Sequence, residues 1–164
     1  MKPFLLLSIL AFSLHAGMSI GDKAYDFTLN SLDGKKRYAL HTFKGDVVLV
    51  NLWASWCKGC KKEMPAFVAL QKSYQKGFRL ITVNLDDNPE KAQAFLHSVE
   101  KKTGTRIPFT SLYDPNKEVA KMYGCKAMPS SYLIDKEGKI RNIMVGTLHA
   151  DEIEQLKHEI NTLK

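Results

Sequence analysis

Cysteine is scarce in this 164-residue sequence, which contains only Cys57, Cys60 and Cys125. So few sulfurs exclude a scaffold held together by disulfides, and a hydrophobic core must stabilise the fold instead. The chain is long enough for one domain with a sizeable core. Internal repeats, low-complexity segments and linkers are also missing, so we predict a single folded domain over residues 20–164.

A hydrophobic run long enough to span a membrane is missing as well. The apolar segment near the N-terminus, residues 4–14, is shorter than the roughly 20 apolar residues that a transmembrane helix needs. It follows Lys2 and precedes the small residues Gly17 and Ser19, a pattern typical of a secretory signal peptide. We therefore predict a signal peptide over residues 1–19 and a periplasmic or otherwise extracytoplasmic protein; an uncleaved anchor is the alternative.

Acidic residues are outnumbered, 17 against 24 lysines and arginines, which gives a formal net charge of +7. The basic residues are spread along the chain and form no stripe interleaved with aromatics, so we expect no nucleic-acid partner. The charge balance instead predicts a soluble, cationic surface. The one tight basic group, Lys58, Lys61 and Lys62, flanks two of the cysteines.

Those two cysteines stand three residues apart, where a strand is predicted to give way to a helix. Residues 47–53 form an apolar run typical of a buried strand, and a helical pattern follows. Side chains at positions i and i+3 lie on the same face of a helix, so the two sulfurs can meet. Cys57 stands where the helix dipole favours an anion, which stabilises its thiolate. We predict a redox pair in which Cys57 is the nucleophile and Cys60 the resolving thiol.

A pair with this spacing also occurs in structural disulfides and in zinc sites. Zinc needs four ligands, and His41, His97, His149 and His158 show no ligand-like spacing, so we expect no metal and no cofactor. The third cysteine, Cys125, leaves an odd count. In an exported protein it is either a buried free thiol that packs as a small hydrophobe or a third redox thiol.

The rest of the chain alternates between predicted strands and helices, which indicates a mixed α/β sheet flanked by helices. Pro65 is expected to kink the first helix, and Asn88 is expected to cap the second. The predicted strands lie near residues 27–29, 37–40, 47–53, 78–85, 108–113, 131–134 and 140–145. The predicted helices run from the cysteines to Gly77, over 89–102, over 119–123 and over 153–163.

This order of elements, with Trp56-Cys57-Lys58-Gly59-Cys60 between the first central strand and a long helix, resembles the thioredoxin fold over nearly all of the mature chain. The resemblance narrows to the exported TlpA-like and ResA-like thiol–disulfide oxidoreductases, which include a branch in cytochrome c maturation. Four segments carry it: a hairpin at 20–29, an active-site strand at 51–57, a helical insert at 87–102 and a cis-proline segment at 127–135.

The resemblance implies a dithiol reductant of protein disulfides, with the haem-attachment cysteines of apocytochrome c as the favoured substrate. An oxidising compartment supplies no reductant, so a membrane thiol protein would donate the electrons. We also expect the protein to be a monomer. The resemblance also implies that Glu63 exchanges a proton with the thiol pair and that Pro129 is cis and held against it. Trp56 and the backbone of Met128 would then contact an extended substrate segment.

Three departures from the family pattern matter. Lys58-Gly59 lacks the proline of many relatives, which leaves the redox potential open, and Asn51 replaces the buried acid of cytoplasmic thioredoxins. Cys125 stands where an aliphatic residue is usual.

Two alternative functions remain: a disulfide-forming oxidase or isomerase, and a copper-delivery protein with His149 as third ligand. A peroxidase is disfavoured because no proline and threonine precede either cysteine at the required spacing.

Overall fold

A seven-stranded mixed sheet runs through the computed structural model, which describes residues 17–164. Its strands lie in the order β2-β1-β5-β4-β3-β6-β7. The strands are β1 Thr28–Ser31, β2 Arg37–Ala39, β3 Val47–Trp53, β4 Phe78–Asn84, β5 Thr110–Tyr113, β6 Ser130–Ile134 and β7 Ile140–Val145. The helices are α1 Lys58–Lys72, α2 Pro89–Thr103, α3 Glu118–Met122 and α4 Ala150–Leu163, with a 3₁₀ turn at Leu40–Phe43.

Strand β3 lies at the centre of the sheet, and all seven of its residues are buried. It pairs in parallel with β4 and antiparallel with β6, so both of its edges are satisfied. Its side chains alternate between two cores, with Leu49 and Trp53 beneath α1, α2 and α4 and with Val50 and Leu52 on the α3 side. Because helices cover both faces, the strand appears in sequence as an apolar run that only Asn51 interrupts.

Helix α2 begins and ends as the sequence predicts. Asn88 is its N-cap and accepts the N–H of Glu90 at 2.8 Å, Pro89 is its first residue, and Gly104 ends it in the left-handed conformation at φ 63°. The helix is the predicted insert between β4 and β5. Together with the antiparallel β1–β2 hairpin it confirms the predicted mixed sheet with an N-terminal hairpin and a helical insert, although the hairpin lies at 28–39 and not at 20–29.

The predicted end of α1 is wrong. The helix continues through Pro65 but ends at Lys72, five residues before Gly77. Its last carbonyls are taken up locally, since the hydroxyl of Ser73 donates to Ala69 O and the N–H of Tyr74 donates to Gln71 O. Gly77, at φ 76°, instead turns the chain into β4.

The predicted signal peptide falls mostly on residues 1–16, outside the described residues, and it stays a prediction. Met18, within the predicted segment, is buried, and its N–H donates to Tyr123 O at 3.3 Å. Between residues 17 and 164, none of the helices combines the length and the apolar character needed to cross a bilayer.

Gln71 ties the end of α1 to the sheet. Strand β5 begins opposite Ile81, so on that side of β4 the N–H of Leu80 has no strand partner. The buried side chain of Gln71 supplies one, because its Oε1 accepts the Leu80 N–H at 2.7 Å while its Nε2 donates to Tyr74 O at 3.2 Å. A buried N–H without a partner is costly, so this amide stabilises the start of the sheet.

We expect Gln71→Ala to lower the free energy of unfolding by about 2 kcal/mol, because it leaves the Leu80 N–H buried and unpaired. Urea unfolding of the oxidised protein measures the change. Gln75→Ala, an exposed glutamine in the following turn, is the matched control and should leave stability within about 0.5 kcal/mol of wild type. Equal stability of the two variants would contradict this role for Gln71.

Candidate active site

The loop between β3 and α1 is fixed from beneath by Asp86. This buried carboxylate follows β4 and accepts the N–H of Ser55 with both oxygens, at 3.1 and 3.0 Å. Asn84 Nδ2 donates to the same carboxylate at 3.1 Å. Sequence reasoning missed Asp86, although a polar residue at the carboxyl end of the neighbouring parallel strand was a usable signal. Its effect is to position the loop that carries Trp56 and Cys57.

The two cysteine sulfurs predicted to meet do so, in a Cys57–Cys60 disulfide with the Cα atoms 5.3 Å apart. Cys57 is the N-cap of α1, and its Sγ accepts the N–H of Cys60 at 3.2 Å. This bond satisfies one of the N–H groups left free at a helix N-terminus and places the sulfur at the positive end of the helix dipole. The same N–H would stabilise a Cys57 thiolate in the reduced protein.

The charged side chains in the first turn of α1 are all positive. The first turn of α1 contains no acidic residue, and Lys58, Lys61 and Lys62 are exposed there. Lys61 Nζ lies 5.8 Å from the centroid of the Phe95 ring on α2, so the insert reaches over the start of α1. The lysines therefore add to the helix dipole in favouring an anion at Cys57.

Glu63 is 1% exposed, so it is a buried carboxyl and not one on the solvated face of the helix. Its Oε1 accepts Asn51 Nδ2 at 3.0 Å, and its Oε2 accepts the N–H of Leu148 at 3.1 Å. Desolvation by burial raises its pKa to about 7, against the opposing effect of these two donors. At neutral pH this carboxyl is therefore poised to gain or lose a proton one helical turn beyond Cys60.

The polar contacts of Glu63 extend further into the core. Asn51 Nδ2 also donates to Ser131 Oγ at 3.0 Å, so a buried chain of contacts links Leu148, Glu63, Asn51 and Ser131. The sequence pointed to Asn51 and Glu63 but not to Leu148 or Ser131. Ser131 had a weak signal, as a hydroxyl in a strand whose other positions are mostly apolar, and Leu148 had none because its backbone makes the contact.

Pro129 is cis, as the sequence predicts, and it lies against the start of α1. A Cβ atom placed on Gly59 would stand 3.1 Å from the Cδ of Pro129 and would collide with Oγ1 of Thr147. Any side chain at position 59 would therefore require Thr147 and Pro129 to move. Thr147, which follows β7, was missed because only the folded chain brings it to this point.

Trp56 and Met128 line the same groove, whereas Trp53 is fully buried in the core. Trp56 is 65% exposed, Met128 is half-buried, and both line a groove that also contains Cys125. Cys125 is a free, half-buried thiol, and its Sγ donates to Ala127 O at 3.2 Å.

His149 is exposed just before α4, where its N–H donates to Glu152 at 2.8 Å. Throughout the described part of the chain, no three histidine, cysteine or acidic side chains are grouped so that they could hold a metal ion. The structure therefore does not assemble His149 with Cys57 and Cys60 into the copper site considered as an alternative.

Comparisons with known proteins place these features among thiol enzymes. The AhpC/TSA family matches residues 20–143. The thiol-disulfide oxidoreductase ResA of Geobacillus thermodenitrificans is 31% identical over 159 residues, which cover 92% of this chain and 87% of that protein. A crystal structure from Chlorobium tepidum, assigned as a thiol:disulfide interchange protein DsbE, is 36% identical with a TM-score of 0.79, covering 90% of this chain and 99% of that one.

The exposed lipoprotein thioredoxin of Streptococcus pneumoniae is a further structural neighbour. It is 29% identical, with a TM-score of 0.66, and the match covers 82% of this chain and 99% of that one.

We expect Gly59→Ala to lower the free energy of unfolding by about 2 kcal/mol, because its methyl group meets Thr147 and Pro129. Adding Thr147→Ala should restore most of that loss by removing the colliding hydroxyl. Lys58→Ala, at the exposed neighbouring position, is the control and should be nearly neutral. Thermal unfolding of wild type, Gly59→Ala, Thr147→Ala, the double variant and the control measures the coupling. Additive losses in the double variant would show that Thr147 does not limit the space.

We expect the stability of the oxidised protein to fall by about 2 to 3 kcal/mol between pH 5 and pH 8, because of Glu63. Burial holds the pKa of Glu63 in the folded protein at about 7, above the ordinary glutamate value of 4.5. Ionisation therefore favours the unfolded protein as pH rises from the lower value, and the loss of stability is complete above the higher one. Denaturant unfolding across this range measures the slope.

Glu63→Gln should remove that fall in stability, whereas Glu137→Gln, at an exposed glutamate, should keep it. Identical pH slopes for wild type and Glu63→Gln would mean that the buried carboxyl does not titrate in this range.

Proposed function

Because this chain belongs to the AhpC/TSA family and is a thiol–disulfide oxidoreductase of the thioredoxin fold, we propose that it is a dithiol reductant of protein disulfides outside the cytoplasm. The observation that carries the proposal is the Cys57–Cys60 pair at the N-terminus of α1, with the buried Glu63 on the following turn.

The reaction begins with Cys57 as a thiolate, stabilised by the Cys60 N–H and by the positive end of α1. The thiolate attacks one sulfur of a substrate disulfide, which forms a mixed disulfide and releases the other substrate sulfur as a thiolate that takes up a proton. Cys60 then attacks Cys57 Sγ and releases the second substrate thiol. One substrate disulfide is thereby reduced to two thiols, and the protein dithiol becomes the Cys57–Cys60 disulfide.

Glu63 supplies the proton handling for the second step. Cys60 is fully buried, and its thiol must lose a proton before the sulfur can attack. A carboxyl with a pKa of about 7 on the next turn of the same helix is suited to accept that proton at neutral pH and to return it when the pair is reduced again.

Two electrostatic effects act in opposite directions on the redox balance. The helix start stabilises the Cys57 thiolate, which favours the dithiol form and hence an oxidant. The ionised Glu63 disfavours a second anion in the same buried region, which favours the disulfide form and hence a reductant. We assign the greater effect to Glu63 because it is buried. An oxidase or isomerase, which rests on the first effect, is the second candidate.

The partners follow from this direction. The favoured substrate is an oxidised haem-attachment segment of apocytochrome c, in which two cysteines are likewise separated by two residues. A membrane thiol protein would then reduce the Cys57–Cys60 disulfide back to the dithiol. The N-terminal pattern of residues 1–19 and the likeness to an exposed lipoprotein thioredoxin support an extracytoplasmic site of action. We propose a monomer, because one chain contributes every group of the site.

We expect Cys60→Ser to accumulate mixed disulfides between Cys57 and its substrates, because no thiol remains to release them. Non-reducing electrophoresis of cell-envelope extracts, followed by mass spectrometry, identifies the captured proteins. The double variant with Cys57→Ser is the control and should capture none of them. Capture that persists without Cys57 would remove this residue from the nucleophile role.

The reduction potential of the wild-type protein shows the direction of the reaction. Equilibration of wild type with dithiothreitol at pH 7 should place its reduction potential nearer to about −270 mV, as for a thioredoxin, than to about −120 mV, as for a strong oxidant. A value near the oxidising end would overturn the assignment as a reductant and favour the oxidase.

A further inference from the structure

A groove of about 530 Å³ opens beside the redox pair, between the loop that carries Trp56 and the segment that leads into β6. Its floor is apolar and includes Trp56, Leu85 and Met128. It adjoins the reacting sulfurs, because Trp56 precedes Cys57 in the chain and Met128 precedes the cis-proline that packs on Gly59. A segment bound in this groove would therefore be continuous with a disulfide presented to Cys57.

The exposure of Trp56 sets this groove apart from the rest of the surface. Among residues 17–164 only four large hydrophobic side chains are exposed, and the other three, Ile20, Tyr25 and Val145, do not line the groove. A tryptophan that is 65% exposed leaves a large apolar area in water, and tryptophan is enriched where proteins bind one another.

Three lysines, Lys117, Lys121 and Lys126, line the groove. Lys117 is already paired, since its Nζ lies 2.8 Å from Asp87 Oδ1. Lys121 and Lys126 are exposed, and within residues 17–164 neither makes an ion pair. Two positive charges therefore stand beside an apolar floor without an internal counter-charge.

We propose that this groove selects substrate segments that carry carboxylates beside the disulfide to be reduced. An apolar side chain next to the substrate cysteine would pack on Trp56 and Met128, while aspartate or glutamate would pair with Lys121 and Lys126. The inference rests on the proposed reductase function and adds the substrate class to it. Charge complementarity of this kind mainly sets which partner is chosen and how fast it associates.

The test uses two synthetic peptides, each with one internal disulfide and identical except for flanking residues, two glutamates in one and two lysines in the other. The reduced protein should reduce the glutamate peptide about fivefold faster, which is the size expected for two exposed charge pairs. Stopped-flow tryptophan fluorescence measures the second-order rate constants. The preference should shrink toward unity at about 0.5 M salt, where exposed charges are screened.

The double variant Lys121→Glu, Lys126→Glu should reverse the preference in favour of the lysine peptide. The matched control, Lys44→Glu with Lys76→Glu, changes the net charge equally at exposed lysines before β3 and β4, at the opposite ends of these strands from the active site. It should keep the wild-type preference. Thermal unfolding verifies that both variants are folded, and Lys126→Gln alone should reduce the preference by about half on a logarithmic scale.

Equal rates for the two peptides with wild type would overturn the proposal, as would an equal shift in the double variant and its control. Neither result would contradict the reductase assignment, because both peptides are still reduced. Failure of the wild-type protein to reduce either peptide would instead overturn the proposed function itself.

Discussion

The hydrogen bond from the Cys60 N–H to Cys57 Sγ is the interaction on which the site depends. A helix N-terminus needs an acceptor for its free N–H groups, and here a reactive sulfur takes the place of the usual oxygen. The N–H that needs an acceptor at the start of α1 is therefore the same one that would stabilise the thiolate of Cys57, the proposed nucleophile. Asp86 holds the preceding loop in position, and Pro129 and Thr147 close in on the helix start from the other side.

The second constraint lies beneath the sulfurs, on the central strand. Asn51 is the one polar residue of β3, and on a fully buried strand such a side chain must find partners within the core. It donates to both Glu63 and Ser131, and so joins α1 to β6 across the middle of the molecule. Glu63 in turn accepts the Leu148 N–H just before α4. The carboxyl proposed to handle the proton is thus held directly by two separate parts of the fold, β3 and the segment before α4.

Much of this arrangement could be predicted from local signals. Asn88-Pro89 and Gly104 define α2, the apolar run at 47–53 defines β3, and the cysteine spacing places both sulfurs on one turn. Gly77 misled the prediction because a glycine that turns the chain into a strand resembles one that ends a helix. Asp86 and Ser131 each left a partial signal, but their partners could not be predicted, and Thr147 left none, because these contacts join residues far apart in sequence and depend on the packed structure.

The close approach at Gly59 has a consequence for how this chain can vary. The Gly59 position has no room for a side chain while Thr147 and Pro129 keep their places. Substitutions at positions 59 and 147 should therefore depend on each other during evolution. A lineage that gains a bulkier residue between the cysteines must first shrink position 147 or displace its loop. Such paired changes would appear as covariation of positions 59 and 147, which are 88 residues apart, in an alignment of related sequences.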